Sequence, residues 1–210
     1  MSAIQPDGST YRTITKADLG VVARTFGRAF ADDPMWLWVM EGRSRMVEHT
    51  GRLFAAMAKH HMQKNNTVLM TRSGEAAAVW APPGGSHISY RDTVPMLPTM
   101  IRSLGYSGLK KSAALTSLEK LHPSEPHWYL MILGTDPAHQ RRGHGRTVVE
   151  PMLERADDEG VLSYLESSKE SNVPYYRQFG FEVTREHRLA GGGPPIWLME
   201  RPPQSRSPQP

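Results

Sequence analysis

The chain of 210 residues contains no cysteine. That excludes a disulfide scaffold, a thiolate zinc site and a thiol nucleophile. No stretch approaches ~18 uninterrupted apolar residues, so no membrane span is expected. The opening residues MSAIQPDGSTYR hold no apolar run of signal-peptide type, and a cytoplasmic protein is expected. A large charge excess is also missing: the formal net charge is +4. Basic residues are scattered apart from one dense group, Arg141, Arg142 and Arg146. Nucleic-acid binding would want a longer stripe with interleaved aromatics, so no nucleic-acid partner is expected. The nine histidines show no metal-ligand spacing, and no metal is expected. His60 and His61 are neighbours on a helix and cannot both face one ligand.

What is there suffices for one domain, since a chain of this length buries about 70% of its unfolded surface. Residues 1–10 and the proline-rich tail 202–210 are expected to be disordered, leaving residues 11–201 as the domain. An apolar stripe of Leu19, Val22, Ala23, Phe26 and Phe30 predicts a helix over 15–31, with Thr15 as a cap and Asp32-Asp33-Pro34 as its end. A second helix is predicted over about 43–64. Strands are predicted at 67–71 and 76–81, joined by a turn at Ser73-Gly74. Helical spacing recurs around 96–104 and 109–121, with Gly105 and Gly108 between. Trp128–Leu133 reads as a buried strand, followed by a Gly-rich turn, a helix over about 145–159 and a strand over 161–166. A short helix near 173–179 and strands near 181–188 and 196–200 complete the pattern. Strand, turn, helix, strand makes a β-α-β unit, so the C-terminal half is α/β. Pro151 falls about two turns into its helix, where a bend is expected.

The turn after the buried strand carries the chemistry. Gly143 and Gly145 permit close backbone approach, and the unpaired N–H groups of the next helical turn point at one spot. Those groups and the helix dipole attract an anion, and Arg141, Arg142 and Arg146 flank it with permanent charge. A phosphate or pyrophosphate site follows; an ordinary glycine turn with surface arginines is the alternative. The pattern is neither a P-loop nor a Rossmann fingerprint, because Val148 stands where the third glycine of the latter belongs.

Gln140-Arg141-Arg142-Gly143-His144-Gly145 resembles the Q/R-x-x-G-x-G/A pyrophosphate loop of the GCN5-related N-acetyltransferase (GNAT) superfamily. Downstream, Asn172-Val173-Pro174-Tyr175-Tyr176-Arg177-Gln178-Phe179-Gly180-Phe181 is similar to its N-x-x-x-x-Y-x-x-x-G-F motif. The two matches cover about residues 126–186, and the element order agrees over 11–201. Four further segments look most like the puromycin N-acetyltransferase branch: Ala29–Pro34, Glu125–Leu130, Asp136–Gln140 and Tyr164–Ser168.

The resemblance implies an α/β (α+β) fold with a mixed central sheet, a splayed parallel pair and flanking helices. It places the acceptor half at about 11–125 and the acetyl-CoA half at about 126–201. Acetyl-CoA would slide between the strands 128–135 and 161–168, against Leu133, Gly134 and Thr135. Gln140, Arg141, Arg142, Gly143, His144, Gly145, Arg146 and Thr147 would hold its pyrophosphate, and Asn172 its pantetheine or thioester end. An amine would attack the thioester directly. Tyr176 is the candidate acid for the leaving thiolate, because a phenol is protonated at neutral pH. Packing is the competing explanation for Tyr176, and Tyr175 the competing residue. Glu166 is the candidate base, directly or through water, or else a polar strand end. Asp32 and Asp33 are candidates to hold a cationic amine, or they only end the helix. Trp36, Trp38 and Trp80 are candidates for an acceptor pocket, or for the core. The expected partner is a small-molecule amine, with monomer and homodimer both open. A protein lysine or N-terminal acetyltransferase and a catalytically silent acyl-CoA sensor are the alternatives.

Overall fold

The computed structural model describes residues 10–64, 67–85 and 94–204. The expected disorder of 1–9 and 205–210 lies outside them. Thr10 and the segment 202–204 are described, and the Gln204 N–H donates to Asp157 at 2.8 Å.

Seven strands form one sheet in the order β1-β2-β3-β4-β5-β7-β6. They are β1 (Tyr11–Thr13), β2 (Thr67–Thr71), β3 (Ala76–Ala81), β4 (His127–Thr135), β5 (Leu162–Ser167), β6 (Glu182–Arg188) and β7 (Pro195–Arg201). Among the described strands only β4 and β5 run parallel; every other neighbouring pair is antiparallel. The expected mixed sheet with flanking helices is the fold observed.

The described helices of four or more residues are α1 (Leu19–Ala29), α2 (Pro34–Val39), α3 (Met46–Gln63), α4 (Leu97–Ser112), α5 (Thr116–Glu119), α6 (His144–Glu159) and α7 (Val173–Arg177). The short α2 was not anticipated. Asp33-Pro34 was read only as a stop, yet proline at the first helical position and an aspartate cap also start a helix. Gly105, at φ 63° and ψ −176°, breaks α4 where the sequence placed a separator. Pro151 sits inside α6 without ending it.

Every residue of β3 is buried because both sheet faces are covered. Ala77 and Val79 pack with Val22 and Phe26 of α1 and with Leu53 and Phe54 of α3. Ala76, Ala78 and Trp80 pack on the opposite face with Val148, Val149 and Met152 of α6. Two ion pairs tie the periphery down. Arg12 grips Asp18 with both terminal nitrogens at 2.7 and 2.6 Å. Arg201, 3% exposed, holds Asp157 at 2.6 and 2.8 Å and donates to the Phe179 carbonyl at 2.7 Å.

The feature that positions the site is a bulge. Across β3 and β4, Val79 faces Ile132 but Trp80 faces Leu130, so Met131 is an extra residue. A bulge bends its strand and strengthens the local twist. At the same level the β4–β5 pairing ends, its last partners being Leu130 and Leu165. Beyond that point the two strands separate, as the family resemblance implied.

Candidate active site

A cavity of about 580 Å³ occupies the gap where β4 and β5 part. Leu130 to Leu133 form one wall, and Glu166 to Ser168 form the other. Asn172 and Tyr176, from the segment after β5, also line it. The rest of the lining is mostly apolar: Phe30, Trp36 and Phe54, with Met35, Met57, Met96, Met100 and Met131. The carboxylates Asp33, Glu119 and Glu166 reach it, and among the described residues no lysine or arginine lines it.

Tyr176 is buried, with 8% of its surface exposed. Burial, with smaller pushes from Tyr175 and Asp33, holds its phenol well above the usual tyrosine range. It therefore stays protonated across the working pH range and can donate a proton. Tyr175 is also raised by burial, up to about 12. Its hydroxyl is buried without a hydrogen-bond partner and faces Gly145 rather than the cavity.

Glu166 sits at the end of β5 in a dense polar cluster. Tyr129 donates to its Oε2 at 2.8 Å, and Tyr164 donates to its Oε1 at 3.0 Å. His122 Nε2 lies 3.4 Å from Oε1. Burial first, then the Glu166 charge, raises both tyrosines, so both stay protonated and donate to Glu166. The sequence reading had no role for His122, His127, Tyr129 or Tyr164. Their signal was alternation: His127 and Tyr129 share one face of β4, as Tyr164 and Glu166 share one face of β5.

Asp33 lines the cavity, but its oxygens are engaged. Oδ1 caps α2 through the N–H groups of Met35 and Trp36, at 3.0 and 3.1 Å. Oδ2 accepts from the Ser168 hydroxyl at 2.5 Å. Burial raises its pKa, against the lowering effect of these bonds. Asp32 does not reach the cavity; it is exposed and pairs with Lys169 at 2.5 Å. Trp36 is in the lining, whereas Trp80 is not. Trp80 points to the α6 face of the sheet and is fully buried there, so it packs the core.

The turn after β4 begins with Asp136, which caps a 3₁₀ turn at Pro137–His139 through the Ala138 N–H at 3.0 Å. Gln140 Nε2 approaches the Thr135 carbonyl at 3.4 Å. Arg141 and Gly143 take positive φ, 61° and 85°, and turn the chain into α6. The first bond that closes the helix is Thr147 N–H to Gly143 O at 3.1 Å, so the N–H groups before it face outward at the helix N-terminus. A Cβ on Gly145 would meet Tyr175 Oη at 2.6 Å and Thr135 Oγ1 at 3.3 Å, so glycine is required for this close approach. Arg141 and Arg142 are exposed. Arg146 lies over the Phe179 ring and pairs with Glu150 at 2.5 Å. The turn thus sets outward-facing backbone donors beside exposed cations. Among the described residues, no group of three His, Asp or Glu is placed to hold a metal ion. No helix among them is long and apolar enough to cross a membrane.

Known proteins are similar to this chain in sequence and fold. The profile of the Acetyltransferase (GNAT) family matches residues 104–181. The chain is 33% identical over 99 residues to an uncharacterized N-acetyltransferase of Schizosaccharomyces pombe, a match covering 44% of this chain and 38% of that protein. The chain thus spans under two-fifths of that relative's length. Three solved structures share the fold at low identity. A histone acetyltransferase HPA2 and related acetyltransferase from Corynebacterium glutamicum aligns with TM-score 0.66 at 20% identity, over 94% of this chain and 98% of that one. The polyamine N-acetyltransferase of Drosophila melanogaster gives 0.61 at 12%, over 91% and 98%. The putative acetyltransferase yncA of Salmonella typhimurium, solved with its cofactor acetyl-CoA, gives 0.53 at 14%, over 96% and 97%.

Proposed function

Starting from the similarity of residues 104–181 to the GNAT acetyltransferase family and from the shared fold, we propose that the chain transfers the acetyl group of acetyl-CoA to the primary amine of a small molecule with an apolar body. The observation that carries this reading is the cavity at the parting of β4 and β5, with Tyr176 and Glu166 on its wall. The residues fit the donor. The β4 edge beyond Leu130 has no β5 partner, which leaves backbone groups for an extended amide-bearing arm. The turn over Gln140–Thr147 offers backbone N–H groups and arginines to a pyrophosphate. Acetyl-CoA supplies an acetyl thioester, whose C–S bond breaks as the new C–N bond forms.

The residues of this chain then divide the work. Glu166 accepts the proton that the amine loses. Tyr176 donates its phenolic proton to the sulfur that leaves, and burial keeps that proton in place until then. Asn172 lines the same cavity and orients the donor there. The aromatic and methionine lining favours an apolar body, and the three carboxylates attract an ammonium head, which gives one proton to solvent before the neutral amine attacks. Highly cationic amines suit this cavity less, because several desolvated charges would lack partners. The resemblance of the segments 29–34, 125–130 and 164–168 to the puromycin N-acetyltransferase branch agrees with an amphiphilic amine.

The test is thiol release from acetyl-CoA, read with dithiobis-nitrobenzoate against an amine panel. The protein has no cysteine and gives no background. Release with puromycin or simple arylalkylamines, and not with aminoglycosides, polyamines or a lysine peptide, supports the reading. Release with the peptide alone points to protein acetylation. CoA binding without release on any amine points to a sensor.

A further inference from the structure

Glu166 is the inner end of a chain of facing polar groups that leads out of the cavity. His122 Nε2 stands 3.4 Å from its Oε1. His122 Nδ1 stands 3.1 Å from His127 Nε2, and His127 Nδ1 stands 2.8 Å from the carbonyl oxygen of Glu125, an exposed residue. The protons on this chain can be counted. A carbonyl only accepts, so His127 Nδ1 carries a proton. One proton fits between His127 Nε2 and His122 Nδ1. Two neutral imidazoles have then used both their protons, and a bare lone pair on His122 Nε2 faces the Glu166 carboxylate. One added proton, between Nε2 and Oε1, turns that repulsion into a charge-assisted bond. A second does not fit, because the two rings meet nitrogen to nitrogen with room for one proton.

We propose that His122, His127 and Glu166 form one proton-accepting unit that takes up the single proton released by the acceptor amine. The inference rests on the reading of this cavity as the site of acetyl transfer. As the amine nitrogen bonds to the acetyl carbon, its proton passes to Glu166 and settles on His122. The C–S bond breaks, and the sulfur takes the Tyr176 proton. Solvent then returns one proton to Tyr176 and removes one from the unit, so the cycle balances. The groups around the unit are Glu119 from α5, Tyr129 from β4 and Tyr164 from β5, with Glu200 and Arg185 acting on Tyr164 from β7 and β6. The rings of Tyr129 and Tyr164 lie 4.6 Å from His122 and shield it from water.

Two measurements test this. In the first, kcat/KM on a reactive amine is followed against pH for the wild type and for His122→Asn. Loss of the imidazole leaves a carboxylate as the final proton holder. The rate falls about tenfold or more, and the acid limb of the profile moves to lower pH. A lower rate with the acid limb in place means a structural role and overturns the proposal. The second is a ring ¹⁵N NMR titration of the wild type, which needs no turnover. His122 and His127 should take up one proton between them, with His127 Nδ1 protonated throughout. Full, independent protonation of both rings overturns the shared unit, whatever the amine assays give. Failure of every amine to react, with the shared titration intact, would instead count against the transfer reading.

Discussion

Substitution of Gly145 by alanine tests the donor turn and can be undone by a second change. The new Cβ would lie 2.6 Å from Tyr175 Oη, where ordinary contact begins at 3.4 Å, so the hydroxyl must retreat by about 0.8 Å. Retreat is hindered, because the Tyr175 ring is packed against Tyr176 at 5.4 Å and Phe179 at 5.1 Å. Forcing a methyl into such a place costs about 1–3 kcal/mol. If the strain falls on the turn that holds the donor, the Kd for CoA rises by about tenfold for each 1.4 kcal/mol. We expect a rise of ~10-fold or more by titration calorimetry. The hydroxyl that blocks the methyl has no hydrogen-bond partner, so Tyr175→Phe alone should bind CoA as the wild type does and lose no stability. The double variant, Gly145→Ala with Tyr175→Phe, should recover affinity to within about threefold of wild type. An unrescued double variant, or an unperturbed Gly145→Ala, would refute the steric argument.

Asp157→Ala leaves the guanidinium of Arg201 buried and uncompensated, and should destabilise the fold by about 3–5 kcal/mol in urea unfolding. A change below about 1 kcal/mol would show that water or another group takes over the Arg201 charge. Asp18 is held well below the usual carboxylate range, first by the Arg12 hydrogen bonds. Its folded pKa is depressed, so its contribution is complete above the unfolded value of about 3.9 and drains away as pH falls below it. Asp18→Asn should therefore flatten the stability profile on the acid side of about pH 4 while lowering stability at neutral pH; an unchanged acid slope would contradict this.

The sequence was most readable where local chemistry and tertiary demand agreed. The strands 67–71 and 76–81 match the expected bounds, because apolar and β-branched runs were bounded by turn residues. Tyr11–Thr13 escaped notice because three residues carry no period. The family motifs led to Tyr176, Asn172 and the turn over 140–147, and the structure brings Tyr176, Glu166 and Asn172 to one cavity. Of the two readings left open for Trp80, acceptor pocket and core, the structure has the core, and the sequence could not choose for a physical reason. Both faces of β3 are buried, so its hydrophobicity could not tell the cavity side from the α6 side. Asp32 and Asp33 are neighbours with opposite fates, set by a cap geometry that depends on the unforeseen α2. The His122–His127–Glu166 chain was hidden because its members come from a loop and two strands. Only the β4–β5 pairing sets them beside one another.

The measurement closest to the central claim is single-turnover acetyl transfer by Tyr176→Phe, with acetyl-CoA prebound and a reactive amine from the panel. In the proposed role the phenol contributes only as sulfur leaves, so acetyl-CoA affinity should stay within about twofold and the transfer rate should fall by ~10²-fold or more. Transfer at the wild-type rate would contradict the account and remove Tyr176 from the chemistry.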